Sequence, residues 1–191
     1  MYQDIYFLER MYFTPESYAA WARWHHIPVA SEATRNYLTT QVEIYRPRCI
    51  LEVWAAIGST TCRLWLQCAS WEWQVIAFEV SYPSYQLARR RRNYRSCRNV
   101  HLFHADITEI NLSTYWLAQI DFVFIDGMKA QYAQYLQQIR PFCRSGTCII
   151  VDDVRAYVDK MDAFWQYLDQ ESLCRELIDL DDGDGVVKIV L

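Results

Sequence analysis

The sequence predicts an α/β fold: a doubly wound, mostly parallel seven-stranded sheet with an antiparallel C-terminal edge hairpin and an N-terminal helical cap. Three observations carry this expectation. Short apolar runs alternate with Ala-, Arg-, Gln- and Tyr-rich segments of about 10 to 20 residues that read as helices. Runs such as DFVFID and CIIVDD are apolar almost throughout, with little polar alternation. That is the pattern of strands covered on both faces by helices. The last two runs are joined only by Asp181-Asp182-Gly183-Asp184-Gly185, which is long enough for a hairpin and too short for a crossover helix.

The elements follow in order. Residues 1–45 read as the helical cap and 46–191 as the sheet region of a single domain spanning 1–191. Aromatics crowd the start of the cap (Tyr2, Tyr6, Phe7, Tyr12, Phe13, Tyr18, Trp21, Trp24), and the spacing of Phe7, Met11, Tyr18 and Trp21 gives one packed helical face. That face reads as ordinary core, with a dimer partner or the acceptor pocket as its other uses. Strands are expected at Cys49 to Val53, Gln74 to Val80, Val100 to His104, Ile120 to Ile125, Thr147 to Val151, roughly Leu173 to Leu180, and Val186 to Leu191. In such a sheet a ligand binds beyond the carboxyl ends of the strands, where the strand order reverses.

Composition removes several function classes. The chain has 191 residues, 52% of them apolar, with only 5 Gly and 5 Pro, so neither a disordered nor a collagenous chain is expected. Asp4, Glu9 and Arg10 interrupt the start, and no run approaches a membrane span, so the expected setting is the cytoplasm, with no membrane partner. Seven scattered cysteines without a C-x-x-C pair read as reduced core thiols, and histidines 25, 26, 101 and 104 lack the spacing of metal ligands. At an average glycine usage of about 7% a chain of this length would carry roughly 13. It carries 5, beside 8 tryptophans.

Polar residues recur where the strands end. Glu52 is followed by Trp54-Ala55-Ala56-Ile57-Gly58-Ser59-Thr60 after the first strand, Glu79 ends the second, and Asp106 follows the third. Asp126-Gly127-Met128-Lys129 follows the fourth and Asp152-Asp153 the fifth. One such carboxylate would read as a helix cap or a solvated loop. Five together read as a site. Glu79 stands where a carboxylate commonly accepts from a ribose diol, which suits a nucleoside-containing cofactor, although neither G-x-G-x-x-G nor a Walker sequence is present. Asp126, Asp152 and Asp153 are hard oxygen donors suited to Mg²⁺, Mn²⁺ or Ca²⁺ rather than zinc. Lys129 would project toward the same site if the chain turns into a helix there, as a base. Its other reading is a surface lysine with a snorkelling stem.

In order and spacing, ILEVWAAIGSTTCRLW, VIAFEVSYPSYQLARRR, HADITE, FVFIDGMKAQYAQYL, CIIVDDV and DGDGVVKIVL resemble the class I S-adenosylmethionine-dependent O-methyltransferases of the catechol and caffeoyl-CoA type, including their small bacterial members. The resemblance spans roughly residues 28–191. It implies a Rossmann-like methyltransferase fold, S-adenosylmethionine as cofactor, and a divalent metal held by Asp126, Asp152 and Asp153, with Mg²⁺ first in order. It implies Lys129 as the base and a small hydroxyl-bearing, catechol-like acceptor. By the same resemblance Glu52, Trp54, Ala55, Ala56, Gly58, Ser59, Thr60 and Asp126 line the cofactor, Glu79 binds its ribose, and Asp106 with Ile107 borders the adenine. Relatives are often homodimers.

The chain departs from that family at three places. Asp153 stands where the family usually has Asn, and Trp54 and Ala56 stand where it has glycine, so that backbone can approach the cofactor. A tryptophan there either fills the pocket or swings outward. The first outcome would leave a non-catalytic relative. Some small bacterial relatives methylate a hydroxylated uridine in transfer RNA, and Arg89 to Arg92, with Arg95 and Arg98, form the one strong basic run. Four consecutive residues spread around a helix, however, and the net charge is −4, so a solvated helix is the favoured reading and nucleic acid is not the favoured partner.

Overall fold

The computed structural model describes residues 15–68, 72–94, 99–115, 119–180 and 185–191. Its centre is a seven-stranded sheet in the order β3-β2-β1-β4-β5-β7-β6. The strands are β1 (Cys49–Val53), β2 (Gln74–Glu79), β3 (Val100–His104), β4 (Ile120–Ile125), β5 (Cys143–Val151), β6 (Arg175–Asp179) and β7 (Gly185–Val190). β7 alone runs antiparallel to its neighbours β5 and β6. Because β2 and β3 lie on one side of β1 and β4 on the other, the order reverses between β1 and β4, and the expected crevice lies at their carboxyl ends.

The described residues hold six α-helices: α1 (Pro15–Trp24), α2 (Glu32–Tyr45), α3 (Ser59–Gln67), α4 (Tyr82–Tyr94), α5 (Tyr132–Ile139) and α6 (Asp162–Gln170). Alternate residues of each strand serve opposite layers. Leu51, Val53, Val123, Ile125, Ile149 and Val151 pack with Tyr132, Leu136, Phe164 and Leu168 of α5 and α6. Ile50, Phe122, Phe124, Cys148 and Ile150 pack with Leu38, Val42, Leu64 and Ala88 of α2, α3 and α4. Burial on both faces is why these strands read as unbroken apolar runs.

The helical cap is present as α1 and α2, while residues 1–14, with Tyr2, Tyr6, Phe7, Met11, Tyr12 and Phe13, lie outside the described residues. α1 opens on Pro15, whose missing N–H costs nothing in the first turn. Its Tyr18 and Ala22 are buried on Ile57 of the β1–α3 loop, which makes them core, whereas Trp24 is 82% exposed. α2 is capped by Ser31, whose hydroxyl accepts from Thr34 N at 2.9 Å, and ends at Arg46 in the left-handed region (φ 43°).

Strand boundaries differ from expectation in β2, in β5, in β6 (Arg175–Asp179 rather than roughly Leu173 to Leu180) and in β7 (Gly185–Val190 rather than Val186 to Leu191). β2 stops at Glu79, one residue short, and β5 starts at Cys143 rather than Thr147. The added stretch, Cys143–Gly146, is mostly exposed and polar, so it gave no apolar signal. It pairs with β4 through a register shift, and Gly146 takes φ +83° there. Thr147 Oγ1 ties the irregularity down by donating to the carbonyls of Ile120 (2.7 Å) and Arg144 (2.8 Å). At this amino-terminal end of the strands, buried Asp121 accepts from Arg48 N and Cys49 N at 2.9 Å and pairs with Arg144, fastening β4 to the start of β1. Among the described cysteines all are free thiols, and Cys49, Cys62, Cys68 and Cys148 are buried. Cys97 lies outside the described residues. No helix among the described residues is long and apolar enough to cross a membrane.

Candidate active site

The carboxyl ends of β1, β2, β4 and β5 gather most of the residues singled out from the sequence. The ladder continues past each strand: Ala55 N donates to Phe78 O (2.9 Å), Asp126 N to Val53 O (3.3 Å) and Asp152 N to Ile125 O (2.9 Å). After β1 the backbone enters the left-handed region at every second residue, with φ 66° at Trp54, 48° at Ala56 and 76° at Gly58. Glycine would hold this shape freely, but for Trp54 and Ala56 it costs about 1–2 kcal/mol each. Neighbours supply the constraint. Ala56 N donates to Glu79 Oε2 (2.7 Å) and Gly58 N to Ala55 O (2.8 Å). Gly58 itself approaches α4 so closely that a Cβ would stand 3.1 Å from Ala88 Cβ. Ser59 and Thr60 then open α3 and are buried.

The Trp54 indole lies across the crevice between β1 and β4. A Cβ added to Gly127 would fall 2.8 Å from Trp54 Cδ1 and 2.9 Å from Tyr135 Cε2, so Gly127 is the floor on which both rings rest. The Tyr135 hydroxyl donates to Gln131 Oε1 (2.7 Å) and accepts from Met128 N (3.3 Å), and its ring and the indole both close on Gly127. Burial pushes the Tyr135 phenol up to about 12. The side chain therefore turns into the crevice rather than outward.

The acidic residues fall into separate environments. Glu52 is wholly enclosed on the α3 side of β1, where Thr61 Oγ1 donates to Oε2 at 2.5 Å and Oε1 has no partner. Burial, reinforced by the charges of Asp126 and Glu79, pushes its carboxyl up to about 8. Glu79 is buried too, and its pKa is raised by burial against the amides of Ser81 (2.6 Å) and Ala56 that it accepts from. Asp106 accepts from Thr108 N (2.9 Å) and Thr108 Oγ1 (2.7 Å), shaping the turn after β3, and Ile107 beside it is buried.

Lys129 stands in a short 3₁₀ turn ahead of α5, and its ammonium bridges two strand ends, 2.6 Å from Asp153 Oδ2 and 3.2 Å from Asp126 Oδ1. Burial would lower its pKa, but the two aspartates more than offset this and hold it raised, so the side chain is firmly cationic. Asp152 is buried, with Oδ1 accepting from Thr34 Oγ1 of α2 at 2.9 Å and its carbonyl accepting from Tyr132 OH at 3.1 Å. Burial and the charges of Asp126 and Asp153 push its carboxyl well up. Asp153 takes φ 58°, a conformation that Asn and Asp tolerate best among residues with side chains, which explains why Asp can stand where Asn is expected. As oxygen donors the three aspartates are of the type that suits a hard divalent cation. As they stand, Asp126 and Asp153 close on the Lys129 ammonium instead. Among the described residues no group of three or more His, Cys, Asp or Glu is placed to hold a metal ion.

Sequence reasoning missed Thr34, Tyr132 and Tyr135, which orient Asp152 and Trp54 from a helix distant in sequence and from α5. It missed Tyr157 as well, whose ring lies 5.4 Å from the Lys129 ammonium. Helical spacing alone marks Tyr132 and Tyr135 as core, which they also are. Of the basic run, Arg89 and Arg90 are exposed on α4, while the side chains of Arg91 and Arg92, and residues 95 and 98, lie outside the described residues.

No family model matches the chain. Solved structures do. The chain is similar to a Staphylococcus aureus protein named a "putative caffeoyl-CoA O-methyltransferase" (TM-score 0.80, 18% identity, covering 94% of this chain and 93% of that one). It is similar to an O-methyltransferase from Bacillus cereus solved with SAH (TM-score 0.77, 19% identity, 100% and 98% covered). The O-methyltransferase TomG from Streptomyces achromogenes, solved with SAM, gives a TM-score of 0.74 at 18% identity, with 98% and 95% covered. With the sheet order, the reversed β7 and the crevice between β1 and β4, these likenesses establish that the chain has the Rossmann-like fold of the class I O-methyltransferases of the caffeoyl-CoA type.

Proposed function

We propose that this chain is a cytoplasmic S-adenosylmethionine-dependent, divalent-metal-assisted O-methyltransferase acting on a small catechol-like or other vicinal-oxygen acceptor. The observation that carries the reading is the convergence of Lys129, Asp126 and Asp153 from two strand ends beside the left-handed loop of Trp54 to Gly58. In this reading the loop passes the methionine moiety, Glu79 takes the ribose, and Asp106 with Ile107 borders the adenine. Asp126, Asp152 and Asp153 would hold the metal, which when bound lowers the pKa of a coordinated hydroxyl.

The chain's own residues do the rest. Lys129 is the group placed to take the acceptor's proton, and Asp126 and Asp153, whose carboxylates hold it cationic as it stands, are the residues that would hold the metal. The acceptor oxygen then forms a bond to the methyl carbon while the C–S pair returns to sulfur, leaving S-adenosylhomocysteine. Alignment supplies most of the acceleration.

The indole resting on Gly127 favours a second reading, a non-catalytic relative whose crevice is filled. Calorimetric titration of S-adenosylhomocysteine into the protein and into Trp54→Gly separates the two. Binding to both means that the indole moves aside, and methyl transfer to catechol with Mg²⁺, abolished by a chelator, then completes the test. Binding to the glycine variant alone means a blocked crevice. Transfer RNA retained on a filter at low salt would redirect the acceptor search to nucleic acid.

A further inference from the structure

Beyond the carboxylates, exposed apolar side chains flank Lys129 in the chain at Met128 and in space at Tyr157, with Val158 next to Tyr157 in sequence. Met128 is 50%, Tyr157 39% and Val158 55% exposed. Tyr157 is held against the candidate base, its ring centroid 5.4 Å from the Lys129 ammonium. A second ammonium, that of Lys160, lies 5.0 Å from the same centroid. The 3₁₀ turn Val158–Lys160 fixes this arrangement, because Lys160 N donates to Tyr157 O at 2.9 Å. The chain has few lysines, with 19 Lys+Arg in all, and two of its three (129, 160, 188) stand over this one ring.

The two ammoniums differ in their commitments. Lys129 is engaged by Asp126 and Asp153. Among the described residues Lys160 has no carboxylate within ion-pair distance, the exposed Asp159 and Asp162 nearby included, while neighbouring Arg155 is paired with Asp179. Lys160 therefore offers a second cation over the Tyr157 ring, and the two distances to the ring place it no more than about 10 Å from Lys129. In a chain of net charge −4, an available cation this close to Lys129 is informative.

We propose that the acceptor is an anionic aromatic: a ring with two adjacent hydroxyls directed to the Lys129 end and a carboxylate directed to Lys160, with Met128, Tyr157 and Val158 covering the ring. This rests on the methyl-transfer reading and deepens it. Lys160 acts as a specificity-determining residue and takes no part in the chemistry. The charge on the substrate, rather than its ring, is what the Lys160 end of the site selects.

The test compares 3,4-dihydroxybenzoate, catechol and dopamine, which share the vicinal hydroxyls and carry a negative, no and a positive charge. Binding by ligand-observed NMR and methyl transfer with Mg²⁺ are measured for the protein, Lys160→Gln and Lys160→Glu. Dihydroxybenzoate is expected to have the highest kcat/KM. Lys160→Gln is expected to lower that value about two- to fivefold, the worth of a solvent-exposed ion pair, and to leave catechol unchanged. Lys160→Glu is expected to reverse the order of dihydroxybenzoate and dopamine, and added salt to compress the differences. Equal transfer to all three probes, or an equal fall for all three in Lys160→Gln, overturns the charge selection while the methyltransferase reading stands. Binding of dihydroxybenzoate that Lys160→Glu abolishes, without transfer to any probe, upholds the platform and overturns the proposed reaction. Absence of dihydroxybenzoate binding overturns the proposal.

Discussion

Glu52 should make the protein less stable as pH rises, and Glu52→Gln should remove that loss. The carboxyl is wholly buried and its pKa is pushed from 4.5 to about 8 in the folded chain, chiefly by burial. A raised pKa means that the folded state holds the proton more tightly than the unfolded state. The stabilisation is therefore complete below pH 4.5, declines as pH climbs, and is fully lost above pH 8. At 1.36 kcal/mol per unit the loss is about 3 kcal/mol at pH 7 and about 5 kcal/mol at pH 9. Glutamine keeps the shape and still accepts from Thr61, and its unpaired amide adds a penalty of about 1–3 kcal/mol that does not vary with pH. Unfolding free energies from urea titrations at pH 5, 7 and 9 should thus diverge, the variant gaining on the parent by about 2.5 and then about 4 kcal/mol relative to pH 5. Parallel pH profiles would refute the reasoning, because they would mean that Glu52 ionises normally in place or that the chain loosens around it.

Ala56→Gly should raise stability by about 1 kcal/mol in urea titrations, since it relieves a left-handed alanine without removing a packed side chain. Gly127→Ala should destabilise, and a double-mutant cycle with Trp54→Gly should recover part of the cost, with a coupling of about 0.5–3 kcal/mol; strict additivity would show that the indole does not rest on Gly127. Lys129→Ala should reduce turnover of catechol at least a hundredfold, the scale of general base catalysis, while calorimetry finds nearly unchanged affinity for S-adenosylhomocysteine; an undiminished rate removes Lys129 as the base.

What was legible in the sequence was set by burial and by topology. β1 and β4 were bounded correctly because every residue of each is buried, so their apolar runs end where the strands end. The first four residues of β5 were invisible because that stretch, largely facing solvent, is polar and is held by a bulge and by Thr147, a contact across sequence that no local pattern records. The polar residues at strand ends could be grouped from sequence because parallel strands deliver their carboxyl ends to one edge of the sheet. Their roles could not be ranked in the same way. Glu52 and Asp121 look alike as acids on apolar strands, yet one is enclosed under α3 with only Thr61 bonded to it among the described residues and the other ties strand beginnings together at the opposite edge. Nor could spacing show that the single ammonium among these acids would bridge Asp126 and Asp153, or that Asp152 would turn to Thr34 on the cap.

The alternating left-handed residues after β1 bear on how such proteins change over time. At Trp54 and Ala56 the turn is imposed by partners outside it: the carbonyl of Phe78, the carboxylate of Glu79 and the floor at Gly127. A shape cast by its surroundings tolerates substitution one position at a time, each exchange costing a fraction of a marginal fold's stability and leaving the path of the chain intact.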